Sequence, residues 1–538
     1  MARDAFALTI AALAILAGAA ALAFVWQPGI ASLYDDSVAY LVMAQALSPW
    51  SPPSAAIAAA FPIEKFPPAF PFVVALVGGA HDWRIAHAVV AAGFAASVLL
   101  SGWFAREATG SRAAGVATAA TMALLPGAWL NLKGVLTEFP YLALSLAALV
   151  WHRRISGSRR GMGAWMGLGA LLAVALLTRT IGVALVAAVA AVEALRWRRS
   201  RGDPRPALVA VAIPLAAAAL WYALRPAGGE DAYVASGVGL VRGTLEHGPA
   251  WLLASMGRNA GALGFSWLND LLIFWEGPWQ PKVMLAAALG WLALAGTAWR
   301  AARGTTDGLY AAFYLAILLA WPFPAHMYRL GLPIIPVLLA GGWWALGEAL
   351  ARGAGGARRA RFAAVLAFTP LVLCVPAVLF YVAGRARAAG DEPGPYRVQD
   401  IAEFYRIPLG PWAASVARRQ LGVLRDMDRI RETTPLQARV MWYLPDYVAL
   451  LAGRRGLAIP PASDAAAFAA EMRRRRPDYV YVTAIPLRDE GTGGDDPLAP
   501  QRLAAPYAET VWTRTESGKT ESVLLRIDRE KLEAPSRP

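Results

Sequence analysis

The sequence predicts a polytopic α-helical membrane protein carrying a small soluble α/β domain at its C-terminal end. Three observations lead there. The chain is 57% hydrophobic with only 16% charged residues, whereas soluble domains carry about 25% charged residues. Apolar runs long enough to cross a bilayer recur along its first two thirds. After about residue 384 the long apolar runs stop and charge becomes dense.

The first apolar run, residues 5–26, carries no charge. Met1-Ala2-Arg3 and the small residues near Ala19 to Ala23 also suit a signal peptide. Signal-peptide cores are only about 7–15 residues long, and many spans follow, so the run reads as a retained helix. Further spans are expected near 85–105, 113–130, 138–151, 162–178, 180–195, 207–224, 281–299, 308–323, 330–350 and 362–383. That makes about eleven transmembrane helices. The segment from Trp251 to Trp275 reads as re-entrant or interfacial.

The net charge of +14 does not form a nucleic-acid stripe. Arginines cluster in short segments between apolar runs: Arg106 and Arg112, His152 to Arg160, Arg196 to Arg205, Trp299 to Arg303, and Arg352 to Arg361. Basic loops mark the cytoplasmic side. This places the N-terminus in the cytoplasm, and an odd number of spans exports the C-terminal segment. Asp35-Asp36, Glu64-Lys65, Lys133 to Glu138, Arg179 and His326 to Arg329 then all fall on the outer side.

The domain division expected is 1–383 for the membrane part and 384–538 for the exported part. In the latter, Val440 to Tyr443, Tyr479 to Val482 and Glu521 to Asp528 have strand character, and Ala465 to Arg476 reads as a helix. Gly491 to Pro500, rich in Gly, Asp and Pro, reads as a loop. The single cysteine, Cys374, lies in an apolar run, which leaves no intrachain disulfide and no cysteine metal site.

Chemistry-bearing residues gather in the outer loops. Asp36, Tyr40 and Ala44 are spaced by four and share one face if helical. Both aspartates serve equally as caps or as solvated loop residues. Glu64-Lys65-Phe66-Pro67-Pro68 joins a carboxylate and a cation to a rigid proline pair. Lys65 suits a phosphate, and a surface ion pair is the plainer reading. Glu138, beside Pro140, opens an apolar span where the helix dipole favours its charge. Arg179 interrupts apolar sequence at an outer boundary, against the topological bias, so an anion is its expected partner; snorkelling competes. His326-Met327-Tyr328-Arg329 precedes Pro333 and Pro336 and offers a second outer arginine with a histidine beside it. No P-loop, dinucleotide glycine fingerprint or HExxH appears.

Together these motifs resemble the GT-C superfamily of integral-membrane glycosyltransferases. The likeness is to bacterial enzymes similar to protein O-mannosyltransferases and to the aminoarabinose transferase acting on lipid A. The family's outer-loop Asp, with Tyr four and Ala eight residues later, matches Asp36, Tyr40 and Ala44. Ser37 stands where the family often has Glu. The Glu-Lys-Pro-Pro segment of the aminoarabinose transferases matches Glu64, Lys65, Pro67 and Pro68, with Phe66 inserted. Glu138, Thr178-Arg179 and Arg329 follow in family order.

The resemblance implies inverting transfer of a sugar from a polyprenyl-phosphate donor to a glycan, lipid or protein acceptor. The setting it implies is the outer face of the bacterial cytoplasmic membrane. Asp36 is the base expected, with Asp35 as its alternative. Lys65, Arg179 and Arg329 are the expected phosphate binders, and Tyr40, Tyr328, Pro67 and Pro68 shape the site. Some relatives use a divalent metal, for which Asp35, Glu64, Glu138 and His326 offer ligands. The competing class is a transporter or lipid-linked-sugar flippase without transferase activity. Transporters place key charges near the bilayer midplane, commonly in repeated halves, and no repeat is visible here.

Overall fold

A computed structural model describes residues 2–26, 36–61, 66–156, 161–200, 203–224, 232–272, 279–321, 326–351, 362–388, 411–460, 464–484 and 496–534. The chain divides into two compact units. The first comprises Met1–Gln27, Glu64–Phe70 and Arg84–Ala388; the second comprises Pro28–Ile63, Pro71–Trp83 and Ala389–Pro538.

The first unit is a helix bundle. Among the described residues, seven helices are long and apolar enough to cross a membrane: Ala5–Val25, Trp83–Thr109, Thr180–Arg199, Arg205–Leu224, Pro281–Ala302, Met327–Ala351 and Phe362–Tyr381. The protein is therefore a multi-pass membrane protein, and the expected count of eleven is not confirmed. The reasons are local. The expected span at 113–130 is broken, because the helix Arg112–Ala123 ends before Pro126 opens a second short helix, Pro126–Asn131. Proline has no N–H to continue the first helix and is favoured at the start of the next. Met162–Thr178 and Thr306–Leu319 are apolar but shorter. The segment expected to be re-entrant or interfacial holds one continuous helix, Pro249–Leu271, which is not among the seven candidate spans.

Small residues bring these helices close. A Cβ on Gly296 would lie 2.1 Å from the Gly341 carbonyl oxygen, and one on Gly341 would lie 2.4 Å from Thr297 Oγ1. The helices Pro281–Ala302 and Ile335–Ala351 thus pack backbone to backbone, as expected where lipid offers no hydrophobic drive for association. At the turn into Thr306–Leu319, Arg300 holds Asp307 through two bonds of 2.6 and 2.9 Å, both residues buried. Asn259 donates to the carbonyls of Leu319 (2.8 Å) and Trp321 (2.6 Å), satisfying acceptors at a helix end.

The second unit centres on a five-stranded mixed sheet in the order β2-β1-β3-β5-β4. Its strands are β1 (Arg439–Trp442), β2 (Arg455–Ala458), β3 (Tyr479–Thr483), β4 (Ala508–Glu516) and β5 (Lys519–Ile527). β1 runs parallel to β2 and β3, while β5 is antiparallel to β3 and β4. The helix Ala465–Arg475 turns Phe468 and Met472, four residues apart, into a core with Met441, Val480, Val482 and Leu525. The helix Pro411–Thr433 supplies Asp426, a buried carboxylate that accepts from Tyr481 Oη (2.7 Å), Ser522 Oγ (2.6 Å) and Arg514 Nε (3.1 Å). Three donors satisfy a charge that would be costly to bury alone.

This unit also contains sequence from near the N-terminal end. The helix Ala55–Ala60 packs on β2, and both it and Ser37–Ala46 pack on the turn Val448–Ala452. The Asp36 segment is thus built into the same unit as the C-terminal sheet.

Candidate active site

The first unit brings together charged residues far apart in sequence. Glu138 is the first residue of the helix Glu138–Ile155 and is 1% exposed. Arg179 leaves the helix Met162–Thr178 in extended conformation (φ −147°, ψ 132°), which turns its side chain back toward the Glu138 helix. Its Nη1 lies 2.6 Å from Glu138 Oε1 and donates to Thr137 Oγ1 at 3.1 Å. Arg329 Nε lies 3.9 Å from the same carboxylate oxygen. Neither Glu138 oxygen receives an aligned hydrogen bond among the described residues, so both contacts are Coulombic. One buried carboxylate thus positions two guanidinium groups.

Capping does not account for Glu138. Thr137 makes no side-chain cap bond, and the Glu138 carboxylate is spent on the arginines. The dipole at this helix start still favours its charge.

Arg329 belongs to a short helix, Met327–Leu330, that neighbouring groups fix in place. Ser266 Oγ donates to the Met327 carbonyl (2.9 Å), and Tyr314 Oη donates to that of Leu330 (2.8 Å). Tyr141 and Tyr310 meet below through their hydroxyls at 3.1 Å. Ser266 and Gly331 also border a cavity of about 470 Å³, walled mainly by Leu263, Trp267, Trp291, Leu315 and Leu338. A mainly apolar space therefore begins two residues from Arg329.

Two more buried charges, to which the sequence reading gave no role, lie in this unit. Asp270, 1% exposed, lies against Gly127, where a Cβ would meet its Oδ1 at 2.0 Å. Lys133 is fully buried, its Nζ 5.6 Å from the centre of the Tyr381 ring. Asp270 carried a usable signal, since an ionisable residue within apolar helical sequence is a functional candidate by default. The segment was read as re-entrant or interfacial, and its acid was given no role.

The remaining expected site residues divide in two. Asp35, Glu64 and Lys65 lie outside the described residues. Asp36, in the second unit, is half-buried and precedes the helix Ser37–Ala46, its carbonyl accepting from Tyr40 N at 3.0 Å. Its side chain makes no cap bond, so the capping account of this aspartate has no support. Tyr40 and Ala44 are both buried on that helix. In the first unit Pro67 is buried and Pro68 half-buried, and His326 and Tyr328 are half-buried beside Arg329.

As a metal site the described residues fit poorly. No group of three His, Cys, Asp or Glu among them is placed to hold an ion. Glu138 already faces two cations, which compete with a metal for its lone pairs.

No family model matches the sequence, and no curated protein does. Solved structures do match in fold. The apo structure of ArnT from Cupriavidus metallidurans aligns over 100% of this chain and 100% of its own, at 14% identity and TM-score 0.52. The same protein bound to undecaprenyl phosphate aligns over 98% of this chain and 99% of its own, also at 14% and 0.52. An oligosaccharyltransferase from Archaeoglobus fulgidus aligns over 95% of this chain and 74% of its own, at 12% and 0.49. The chain has the GT-C fold.

Proposed function

We propose, from the GT-C fold, that this chain moves a sugar from a polyprenyl-phosphate donor to an acceptor hydroxyl at the outer face of the bacterial cytoplasmic membrane. The observation that carries the reading is the Glu138 cluster: two arginines held on one buried carboxylate, beside an apolar cavity. A polyprenyl phosphate has the matching halves, an anionic head and an apolar tail. ArnT, with which the chain shares its fold, has been solved with undecaprenyl phosphate bound.

In the transfer, the acceptor oxygen forms a bond to the anomeric carbon as the bond from that carbon to the phosphate oxygen breaks. The configuration inverts. The acceptor proton passes to Asp36, and the electron pair leaves with the polyprenyl phosphate. Arg179 and Arg329 stabilise the charge that develops on that leaving group, with Lys65 as a further cation. Asp35 is the alternative base. Tyr40, Tyr328, Pro67 and Pro68 shape the surroundings. No step is drawn through a metal. Glycan, lipid and protein hydroxyls all satisfy this chemistry as acceptors.

The transporter reading is weaker on a specific observation. Glu138 opens its helix, so the cluster belongs to one end of the bundle rather than to its middle. The basic segments, grouped at the other ends of these helices, support a cytoplasmic N-terminus and an exported second unit.

The test compares extracted lipids and surface glycans from cells with the chain, without it, and with Asp36→Asn. The reading expects a glycosylated product that needs both the chain and Asp36. Identical profiles in all three would leave it without a reaction.

A further inference from the structure

At the far end of the Glu138 helix lies a second cavity, of about 500 Å³. Fourteen residues separate Glu138 from His152, so the two sites lie about 21 Å apart along the helix axis. The cavity is lined by the last turns of Glu138–Ile155 and Val183–Ser200 and by the turn between Pro281–Ala302 and Thr306–Leu319.

Its charges are unevenly matched. Five arginines line it: Arg153, Arg196, Arg199, Arg300 and Arg303. The acids nearby are already engaged. Asp307 is held by Arg300 through two bonds. Glu193 accepts from Ser156, lies 3.0 Å from His152 Nε2 and pairs with Arg196 at 3.5 Å. His152 is also bound through Nδ1 to Thr306 Oγ1 (2.9 Å). Among the described residues, Arg153, Arg199 and Arg303 have no carboxylate within ion-pair distance.

Arg303 is nevertheless ordered, its guanidinium 4.8 Å from the ring centres of both Trp299 and Trp344. Stacking fixes the plane of the fork and leaves its edge donors for a ligand. Arg153, Arg199 and Arg303, all exposed, face a common concave space; Phe104, Leu149, Val192, Leu195 and Trp344 form its apolar wall, and His152, Ser156, Thr305, Thr306 and Asp307 complete the lining.

We propose that this cavity binds a phosphate-bearing anion, held by Arg153, Arg199 and Arg303, at the end of the bundle opposite the candidate active site. A phosphate accepts the forked donors of arginine. An anionic phospholipid supplies that phosphate together with acyl chains for the apolar wall, and basic pockets between membrane helices take such headgroups. The site is independent of the transferase reading.

The test titrates the full chain, purified in detergent, with phosphatidylglycerol, with phosphatidylcholine and with inorganic phosphate, and follows unfolding temperature and bound lipid by native mass spectrometry. Phosphatidylglycerol should bind and stabilise the wild type, and phosphatidylcholine should not. Arg153→Gln/Arg303→Gln should weaken phosphatidylglycerol binding about thirty-fold, the loss expected for two basic groups beside an anionic headgroup. Each variant is its own reference, so a variant of lower basal stability still reports the ligand-induced change. Arg154→Gln/Arg198→Gln removes equal charge outside the cavity and should keep wild-type affinity.

Equal losses in the two double variants would reduce the effect to diffuse surface charge and overturn the site. Absence of any phosphate-dependent binding would do the same. An equal effect from inorganic phosphate, abolished in Arg153→Gln/Arg303→Gln, would support the phosphate site and overturn the lipid as its source.

Discussion

A single buried oxygen, Glu138 Oε1, faces both Arg179 and Arg329. Glu138→Gln should therefore leave the buried Arg329 and the part-buried Arg179 without this counter-charge. Breaking one side of a buried ion pair costs about 3–5 kcal/mol, so a clear fall in unfolding temperature is expected, and an unchanged value would contradict the packing described. Asp36→Asn should behave oppositely. It should lower transfer by about 10²–10⁴ while leaving membrane levels and stability near normal. Loss only in Asp35→Asn would move the base by one residue. Arg329→Ala and Lys65→Ala should raise the donor concentration needed for half-maximal turnover, and an unaltered donor dependence in both would place the phosphate elsewhere. At this scale the sequence was legible where a motif is local: Tyr40 and Ala44 share a helix that Asp36 directly precedes. It was silent where a partner is distant, as for Asp270 against Gly127, because no spacing rule links residues on helices that meet only after folding.

Among the elements, close helix packing and a buried phenol make separate claims. Gly296→Leu forces a side chain against the Gly341 carbonyl, and overpacking of this kind costs about 1–3 kcal/mol. A lower unfolding temperature in detergent is expected, and wild-type stability would contradict the backbone contact. In the second unit, burial first, then the Asp426 charge, pushes the Tyr481 phenol well above its usual value. The folded pKa exceeds the unfolded one, so this contribution is complete below about pH 10 and is lost as pH rises through the folded value. Alkaline titrations of wild type and Tyr481→Phe, followed by phenolate absorbance, should superimpose until unfolding. An additional phenolate in the wild type below pH 10 would contradict the Asp426 network. β1, β3, β5 and the Ala465–Arg475 helix were legible from alternation and helical periodicity. β2 and β4 were not. β2 is a four-residue edge strand containing a glycine, and β4 is polar along most of its length. The helix Pro249–Leu271 was expected as re-entrant or interfacial helices, and Arg258, Asn259, Asn269 and Asp270 dilute its apolar character.

For the molecule as a whole, composition and apolar periodicity were enough to place the chain among multi-pass membrane proteins, and the family resemblance named the GT-C fold that the solved ArnT structures share with it. The number of spans was harder to read. Apolar windows do not register the break at Pro126, and short helices merge with long ones in a hydropathy reading. The orientation has its own test. A reporter active only outside the cytoplasm should work when fused after Pro538 and stay silent at Gly157; activity at Gly157 would invert the first half of the chain. The central claim is the transfer itself. The most direct measurement uses the full chain in nanodiscs with labelled polyprenyl-phosphate sugars and acceptor-bearing membrane extract, following release of polyprenyl phosphate by mass spectrometry. The account predicts release by the wild type and a fall of at least about 10²-fold in Asp36→Asn, with polyprenyl phosphate still bound. Equal release by the two proteins, or none by the wild type under conditions where it binds the donor, would contradict it.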